Sequence, residues 1–529
     1  MNGKGTMGAK GDSAAFLLFI MVTSLFCGAL VMVIEVLGSR VIGPFFGASL
    51  FVWTSLIAVT LVALSAGYAV GGIFSDRRET PDYLYGIILL SGFFVLLIPL
   101  LKGTVLKACV PMGLRVGALA SSTILFGPSL FLLGCVSPYI IKIAAREMKN
   151  IGRTVGLFYA LSTVGSFIGT VFTGFVLIAY FQVNQIFLTV GTVLIALSVI
   201  YFLTFRKNYY FTALLVIPLL WPSGEGPVSK VMSNGTTVTK VFSKENFYGK
   251  LTVLDYSYRE KHTRELVIDG LIQGGIDMAN GLSVYAYPYY SQFLPYSMNP
   301  AGKECLVVGL GAGVIPMWYE KMGVRTDVVD INPDIVEIAR KYFGFSVSGD
   351  VIVEDARYHL NTTGKRYDYV ILDVFNGDTT PGHVLSREAL QLINGHLTGT
   401  GILAINLIGS IKQETFMTAS VIKTLRDIFA TVELYPNFEP EEREGVGNLT
   451  VIACNHALPP ISPELFRKFP VHPLAAAVRE FRGKTFQFPR ETPAIVLTDD
   501  YNPIDFYDVW LKERIRQGIL KNTEWDMII

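Results

Sequence analysis

Long apolar segments fill the first part of the chain and constrain its fold more than any other feature. A helix needs about 20 apolar residues to cross the hydrocarbon core of a bilayer. Six segments of the chain are close to that length, and a seventh segment at 209–221 is shorter. A helix over 209–221 would rise only about 20 Å, so this segment predicts a short span, a tilted interfacial helix or a re-entrant piece. We therefore predict a polytopic α-helical membrane domain of six or seven helices at 14–222, after an N-terminal tail at 1–13. The six clear spans are 14–37, 49–74, 84–101, 118–144, 155–180 and 183–205.

The composition agrees with a membrane protein and argues against several other classes. Of the 529 residues, 51% are hydrophobic and only 16% are charged. The formal net charge of +1 gives no reason to expect a nucleic acid partner. The 5 cysteines are scattered without a CxxC pair, so neither a disulfide framework nor a metal site is expected. We expect a multi-pass protein of the cell membrane, with the lipid bilayer as a partner and without metal.

Lysine and arginine residues in the short loops set the expected topology. They are concentrated on one side of the predicted helices, and this side is expected to face the cytoplasm. Six spans place the second half of the chain in the cytoplasm, whereas seven place it outside. We favour the cytoplasm because the 209–221 segment is short, and the number of spans stays open.

Polarity changes at 221–230, which we interpret as a linker. Three short alternating strands follow at 236–242, 249–257 and 264–270. They predict a small antiparallel β subdomain, and we assign the linker and this subdomain to 223–298.

Strands alternate with helices in the last part of the chain, 299–529. Such βαβ alternation predicts a mainly parallel sheet with helices on both faces, an α/β Rossmann-like domain. Strands at 431–436 and 448–454 fit a closing hairpin at the sheet edge. The predicted parallel strands are 305–310, 326–331, 350–355, 367–375 and 401–408.

A glycine turn follows the first of these strands, where ligands of such sheets bind. Gly309, Gly311 and Gly313 are spaced G-x-G-x-G, and the dinucleotide fingerprint would need its third glycine one position later. The turn therefore gives little support to a diphosphate site. It still allows a ligand to approach the backbone closely.

Acidic residues follow the next three strands. Asp330 can accept hydrogen bonds from ribose hydroxyls, and Asp355, followed by Ala356, can accept one from the adenine amine. Together with the glycine turn they describe an adenosine site without phosphates, which points to S-adenosylmethionine or a relative. Asp373 ends a buried strand, where a charge is costly unless it has a role or a partner. We interpret Asp373 as the group that orients an amine and accepts its proton.

The chain resembles the spermidine synthase family, in particular its membrane-fused relatives, over roughly 247–506. The matching runs include "ENFYGKLTVLDYS", "VVGLGAGVIP", "VVDINPDIV", "EDARYHL" and "LTDDYNPID". The resemblance implies the class I methyltransferase/spermidine synthase fold and aminopropyl transfer. The donor would be decarboxylated S-adenosylmethionine, the acceptor putrescine or another amine, and the by-product methylthioadenosine.

The same resemblance implies roles for single residues. Gln273 would lie near the sulfur and ribose, and Asp330 would bind ribose. Asp355 would bind adenine, and Asp373 would be the catalytic acid/base.

The chain also departs from that family. Ala312 stands where the family has an acid that grips the donor's terminal amine, and Asn376 stands where it has a second acid. Tyr285 is not followed by the family's His-Glu pair. Weaker acceptor-binding candidates are Tyr285, Asn376, Asp378 and His383, and further acids that could serve are Asp277, Asp499 and Asp500.

Two other functions stay open. An S-adenosylmethionine-dependent methyltransferase would suit Ala312, because the carboxylate of the intact donor is better matched by backbone N–H groups than by an acid. A membrane transporter with an adenosyl-sensing domain would suit the loss of the acceptor acids, whereas the retained Asp373 argues against it. Glu35, near the end of the first predicted span, is a functional candidate for transport or else forms an interfacial ion pair with Arg40. The oligomeric state is open as well, with a homodimer among the alternatives.

Overall fold

The computed structural model describes residues 5–47, 50–147, 151–219, 228–375, 381–439, 443–461, 463–481, 483–507, 509–522 and 527. The chain divides into two compact units. The first contains Met1–Gly226, Lys244–Gly249 and Ile529, and the second contains Pro227–Ser243 and Lys250–Ile528.

The first unit is helical. Five stretches of the described residues are long and apolar enough to cross a membrane: 14–46, 51–77, 81–145, 151–180 and 183–204. The longest of these contains two helices joined by a 3-10 turn, so six long helices are present in the described part of this unit. Its helices are α1 (Gly5–Phe46), α2 (Leu50–Arg77), α3 (Pro81–Cys109), α4 (Gly113–Glu147), α5 (Ile151–Phe172), α6 (Ile178–Tyr180), α7 (Val183–Thr204) and α8 (Val216–Leu219).

The segment predicted as a seventh span does not form a long helix. Tyr209–Leu215 is a 3-10 helix, and only the four residues of α8 follow it. The segment is absent from the candidate spans among the described residues, and Trp221 lies outside those residues. A 3-10 helix rises about 2 Å per residue but is rarely long, which is why this segment stops short of a span.

Small residues bring the long helices together. A Cβ atom added at Gly165 of α5 would clash with the carbonyl oxygen of Leu25 on α1, and one added at Gly67 of α2 would clash with that of Phe131 on α4. Backbones can approach this closely only where a side chain is missing. These glycines therefore fix the contacts of α1 with α5 and of α2 with α4.

The second unit begins with a five-stranded antiparallel sheet in the order β1-β2-β3-β4-β5. Three of its strands cover the predicted segments, whereas β1 and β5 were not predicted. Its strands are β1 (Ser229–Val231), β2 (Thr237–Asn246), β3 (Gly249–Tyr258), β4 (Lys261–Ile268) and β5 (Leu271–Asp277).

A seven-stranded sheet follows, in the order β11-β12-β10-β9-β6-β7-β8. Strands β10, β9, β6, β7 and β8 are parallel, and β12 pairs antiparallel with both β10 and β11 at the edge. The structure therefore contains the predicted parallel strands and the predicted closing hairpin. The strands are β6 (Glu304–Val308), β7 (Arg325–Asp330), β8 (Val351–Val353), β9 (Tyr367–Leu372), β10 (Leu397–Ser410), β11 (Thr431–Pro436) and β12 (Val446–Cys454).

Helices pack around this sheet because its central strands are apolar on both faces. The first of them, α9, contributes Tyr289 and Phe293 to the same core as Cys305 and Val307 of β6. The helices are α9 (Tyr287–Met298), α10 (Val314–Lys321), α11 (Pro333–Phe343), α12 (Ala356–Thr362), α13 (Arg387–Gly395), α14 (Phe416–Arg426), α15 (Pro463–Lys468), α16 (Ile504–Tyr507) and α17 (Val509–Asn522).

Candidate active site

The glycine turn and the predicted catalytic acid lie side by side at the carboxyl ends of β6 and β9. The Asp373 N–H donates to the Val308 carbonyl oxygen at 2.9 Å. Gly309 has φ +92°, and a Cβ atom there would clash with the Asp373 carbonyl oxygen. Only glycine allows the turn to lie this close to the acid-bearing strand.

The other two glycines of the turn also adopt positive φ. Gly311 has φ +52°, and its missing Cβ would lie 3.1 Å from the carbonyl oxygen of Gln273. Gly313 has φ +76° and directly precedes α10. The turn therefore presents backbone rather than side chains next to Gln273, as a site for a closely bound ligand requires.

Backbone N–H groups from the glycine turn and from the loop after β7 hold the carboxylate of Asp330. Its Oδ2 accepts a hydrogen bond from the Leu310 N–H at 2.9 Å, and its Oδ1 accepts one from the Asn332 N–H at 2.8 Å. Burial raises the pKa of Asp330, and these two hydrogen bonds oppose the rise. Asn332, rather than Asp330, caps α11. The predicted ribose acid thus orients the glycine turn.

Asp355 caps α12. Its Oδ1 accepts from the N–H groups of Arg357 and Tyr358 at 2.9 and 3.0 Å, and Ala356 is the first residue of the helix. Its Oδ2 lies 3.6 Å from Nε2 of His383. The structure therefore gives Asp355 a structural role and brings the predicted adenine acid together with His383.

Asp373 has one polar side-chain partner among the described residues. Its Oδ1 accepts a hydrogen bond from the side-chain amide of Asn406 at 2.8 Å. Desolvation raises the pKa of Asp373 to about 6, and the Asn406 hydrogen bond opposes this rise. A carboxyl group with such a pKa is largely ionised at neutral pH and can still take up a proton.

Tyr287, which the sequence reasoning missed, lies beside Asp373. Its hydroxyl donates to the Gln273 carbonyl oxygen at 3.1 Å, and burial together with the negative charge of Asp373 raises its pKa well above the usual value. Tyr285, the predicted tyrosine, instead donates to the carboxylate of Glu265. Tyr285 lies two residues before α9 begins, whereas Tyr287 is the first residue of that helix.

The structure describes only some of the positions at which the chain departs from the family. Ala312 is buried, and a Cβ atom added at Gly274 would lie 3.1 Å from the Cβ of Ala312. Asn376 and Asp378 lie outside the described residues.

Two of the further acids are already paired. Oδ2 of Asp277 lies 3.2 Å from Nε2 of His472, and Asp499 forms two hydrogen bonds of 2.7 Å with Arg357. Asp500 is exposed. Neither Asp277 nor Asp499 is therefore available to a substrate ammonium group without exchanging its partner.

The parallel sheet, the glycine turn and the acids at the strand ends define a Rossmann-like transferase of the methyltransferase/spermidine synthase class. A family model described as the spermine/spermidine synthase domain matches residues 289–457. Residues 289–457 therefore form a spermine/spermidine synthase domain, and the family resemblance predicted from the sequence motifs is confirmed for this part of the chain.

Curated relatives include both aminopropyl- and methyltransferases. The chain is 29% identical to a polyamine aminopropyltransferase from Vibrio vulnificus over 234 residues, which cover 41% of this chain and 74% of the relative. It is 34% identical to an N-terminal histidine N-methyltransferase from Emericella nidulans over 140 residues, which cover 26% of this chain and only 25% of the relative.

Solved structures resemble part of the chain at low identity. A spermidine synthase from Thermotoga maritima matches with a TM-score of 0.35 and 15% identity, over 48% of this chain and 90% of that chain. Human methyltransferase-like protein 13 in complex with SAH matches with a TM-score of 0.27 and 19% identity, over 39% of this chain and 93% of that chain.

Proposed function

We propose that the protein is a membrane-anchored polyamine aminopropyltransferase. It would transfer a propylamine group from decarboxylated S-adenosylmethionine to putrescine or another amine and release methylthioadenosine. The observation that carries this proposal is the carboxyl group of Asp373, which lies against the glycine turn with a pKa raised to about 6. The similarity to the Vibrio aminopropyltransferase supports the same reaction.

The reaction needs a base because an ammonium ion has no lone pair. Asp373 takes a proton from the acceptor ammonium, and the free amine then attacks the carbon next to the sulfonium. The new C–N bond forms as the C–S bond breaks, and the electron pair of that bond leaves with the sulfur as a neutral thioether. The product nitrogen is a secondary ammonium and keeps its charge, and Asp373 passes the proton that it took as general base to solvent.

The residues around the turn fit the adenosyl donor. Each carboxylate oxygen of Asp330 accepts one backbone hydrogen bond and has a second lone pair for a ribose hydroxyl. Oδ2 of Asp355 accepts no hydrogen bond from the backbone N–H groups that Oδ1 caps, so it can accept one from the adenine amine. Gln273 borders Gly311 and would lie near the sulfur.

The apolar stretches of the first unit support placing the protein in the cell membrane as a multi-pass protein. With six long helices, the excess of lysine and arginine on one side favours a cytoplasmic second unit. A cytoplasmic second unit would also have access to the adenosyl donor, which is a cytoplasmic metabolite. We include membership of the membrane-fused subgroup in the proposal.

A methyltransferase is the second candidate, and Ala312 is the observation that favours it. A buried alanine leaves no acid in the glycine turn for the donor's terminal amine. Intact S-adenosylmethionine carries a carboxylate, which backbone N–H groups suit better than an acid does. The identity to the Emericella N-methyltransferase agrees with this reading over the matched residues.

Calorimetric titration of the detergent-solubilised protein with each donor separates these functions. Tighter binding of the decarboxylated donor, with methylthioadenosine released when putrescine is added, is the expected result. Tighter binding of the intact donor with S-adenosylhomocysteine as product would establish the methyltransferase instead. Binding of neither donor would contradict both and turn attention to transport by the first unit. Asp373→Asn is the matched control, since it should bind the donor and release little product.

A further inference from the structure

His383 lies beside the acid proposed to bind adenine. Its Nε2 is 3.6 Å from Oδ2 of Asp355, the carboxylate oxygen that takes no part in capping α12. This separation is longer than a hydrogen bond between the two atoms. The side chain of His383 is 55% exposed and that of Asp355 is 40% exposed, so both are accessible to a ligand. A hydrogen-bond donor and a hydrogen-bond acceptor therefore stand side by side at this point of the site.

The backbone around His383 is held in place. Its carbonyl oxygen accepts a hydrogen bond from Nη1 of Arg357 at 3.2 Å. The carbonyl oxygen of Gly382 accepts one from the side-chain amide of Asn502 at 2.7 Å. Val384, the next residue, is buried. The exposed imidazole therefore extends from a fixed backbone, and Arg357 ties that backbone directly to α12.

Strand pairing places this pair of side chains next to the proposed ribose acid. Asp330, the last residue of β7, is the register partner of Val353, the last residue of β8. Asp355 follows β8 by two residues and so reaches the edge of the sheet beside Asp330. Ile331 directly follows Asp330 and is 47% exposed, which offers an apolar surface to a purine ring. A ribose bound at Asp330 would thus direct its base towards Asp355 and His383.

One edge of adenine matches this pair of groups. Its exocyclic amine donates, and N7, the neighbouring acceptor on the same edge, accepts. Proteins read this edge with one acceptor and one donor held side by side, as in the amide of asparagine or glutamine. Oδ2 of Asp355 is the acceptor here, and the Nε2–H of His383 is the donor. A purine with an oxygen in place of the amine would instead bring an acceptor against the carboxylate.

The neighbouring ion pair of Arg357 and Asp499 does not offer a second donor. Nη1 and Nη2 of Arg357 donate to the two carboxylate oxygens of Asp499, each at 2.7 Å. These hydrogen bonds lower the pKa of Asp499 to about 2, so its carboxylate stays ionised and paired. The ion pair holds the loop, and His383 is the side chain that presents a donor next to Asp355.

We propose that His383 donates a hydrogen bond from Nε2 to N7 of the adenine ring, while Oδ2 of Asp355 accepts one from the adenine amine. His383 is then a specificity-determining residue for the purine of the donor rather than a ligand of the acceptor amine. This inference rests on the adenosyl site of the proposed function. It applies equally to the decarboxylated and the intact donor, since both carry the same base.

Two forms of methylthioadenosine test the hydrogen bond to N7 without requiring turnover. Methylthioadenosine and its 7-deaza analogue, in which a C–H group replaces N7, are titrated calorimetrically into the detergent-solubilised full chain. The wild type should bind methylthioadenosine about 3- to 10-fold more tightly, the worth of one net hydrogen bond. His383→Phe keeps an aromatic ring without an N–H group and should lose this preference. Other effects of the deaza ring act on both proteins, so the difference between them isolates the contact with residue 383.

His262→Phe is the matched control. His262 is also exposed, but it lies on β4 of the antiparallel sheet, where its Nδ1 is 3.0 Å from the hydroxyl of Ser257. The control should keep the full preference for methylthioadenosine. His383→Gln retains an N–H donor and should keep part of the preference, so it carries the test if the phenylalanine variant fails to fold.

Three results would overturn the assignment of His383. They are a wild type that binds neither compound, a wild type that binds both equally, and a phenylalanine variant that keeps the preference. The third result is the one expected of a histidine that only balances the charges of Asp355 and Asp499, because its loss would weaken both compounds alike. Failure of the proposed function has a different signature. In that case the preference depends on His383, yet no methylthioadenosine is released from the decarboxylated donor when putrescine is added.

Discussion

The side-chain amide of Asn406 donates a hydrogen bond of 2.8 Å to the carboxylate of Asp373. Asn406 is 1% exposed, and its own oxygen accepts a hydrogen bond from the amide of Asn448 at 3.1 Å. This chain of amides fixes the direction in which Asn406 donates. It also partly offsets the desolvation that raises the pKa of Asp373 to about 6.

Replacing Asn406 with leucine should move the pH dependence of transfer. The substitution removes a hydrogen bond that lowers the pKa of Asp373, so this pKa should rise above about 6. In the proposed reaction Asp373 acts as a base in its ionised form, so the acidic limb of the pH profile of kcat/KM should move to higher pH. Steady-state rates between pH 5 and 9 measure this shift.

Asn448→Leu serves as the comparison for that profile. Its amide contacts Asn406 rather than Asp373, so the shift should be smaller and in the same direction. A profile that is identical in wild type and Asn406→Leu would show that Asp373 is not the group that titrates.

Asp373→Asn should stabilise the protein while removing its activity. The pKa of Asp373 rises from 3.8 to about 6, so the folded state holds more protons than the unfolded state between these values. Stability therefore falls as the pH rises through this window, and the cost reaches about 3 kcal/mol at pH 7. The asparagine variant should melt a few degrees higher at pH 7.5, with a smaller difference at pH 4.5.

Tryptophan fluorescence melting in detergent measures this difference, and transfer should fall by about 10²- to 10⁴-fold. Glu260→Gln, a change at an exposed acid in the turn between β3 and β4, should alter neither property. A lower melting temperature for Asp373→Asn at pH 7.5 would contradict the desolvation argument.

Two substitutions of Asp355 separate helix capping from adenine binding. Asp355→Ala removes the acceptor for the Arg357 and Tyr358 N–H groups and should cost about 0.5–2 kcal/mol of stability. Asp355→Ser keeps a capping oxygen and should retain most of that stability. Both variants lack the second carboxylate oxygen, so both should bind the donor more weakly in calorimetric titration. Full donor affinity in the serine variant would reduce Asp355 to a helix cap.

Gly309→Ala should damage the site beyond the strain of a positive φ. The new methyl group would clash with the Asp373 carbonyl oxygen and displace the end of β9. Misplacing a catalytic group by about 1 Å can cost about 100-fold in rate. Gly323→Ala is the matched control, because Gly323 has φ +75° and nothing within 4 Å of its missing Cβ.

The control should lose about 1–2 kcal/mol of stability and keep its activity. Comparison of melting temperature and transfer rate in the two variants separates backbone strain from displacement of the acid. Equal activity in both would mean that the close approach of Gly309 to Asp373 has no catalytic consequence.

Strand positions were the part of the fold that the sequence predicted well. The apolar runs before Gly309, Asp330 and Asp373 each lead to a residue that the structure places at the carboxyl edge of the sheet. Such buried strands are read directly from continuous apolar residues. In contrast, β5 was missed because Gly274 and Gly275 interrupt the alternation that marks a strand.

Side-chain partners were the part that the sequence could not predict. Asn406 lies within a β-strand pattern, and its contact with Asp373 exists only because β10 pairs with β9. Glu265 looks like a solvated residue next to Arg264, and its burial depends on the packing of Tyr285 and Tyr256 against it. Tyr287 and Tyr285 differ by only two positions, so choosing between them requires knowing where α9 begins.

The pairing of β6 with β9 also dictates when a newly made polypeptide can become competent. The ribosome releases Gly309 long before Asp373, and until β9 arrives one edge of β6 has no partner. An open edge of this kind can recruit other chains. Synthesis that stops before β9 would therefore leave a product with the apolar helical unit complete and an aggregation-prone remainder that lacks Asp373. Such a product is a natural target for chaperones and proteases.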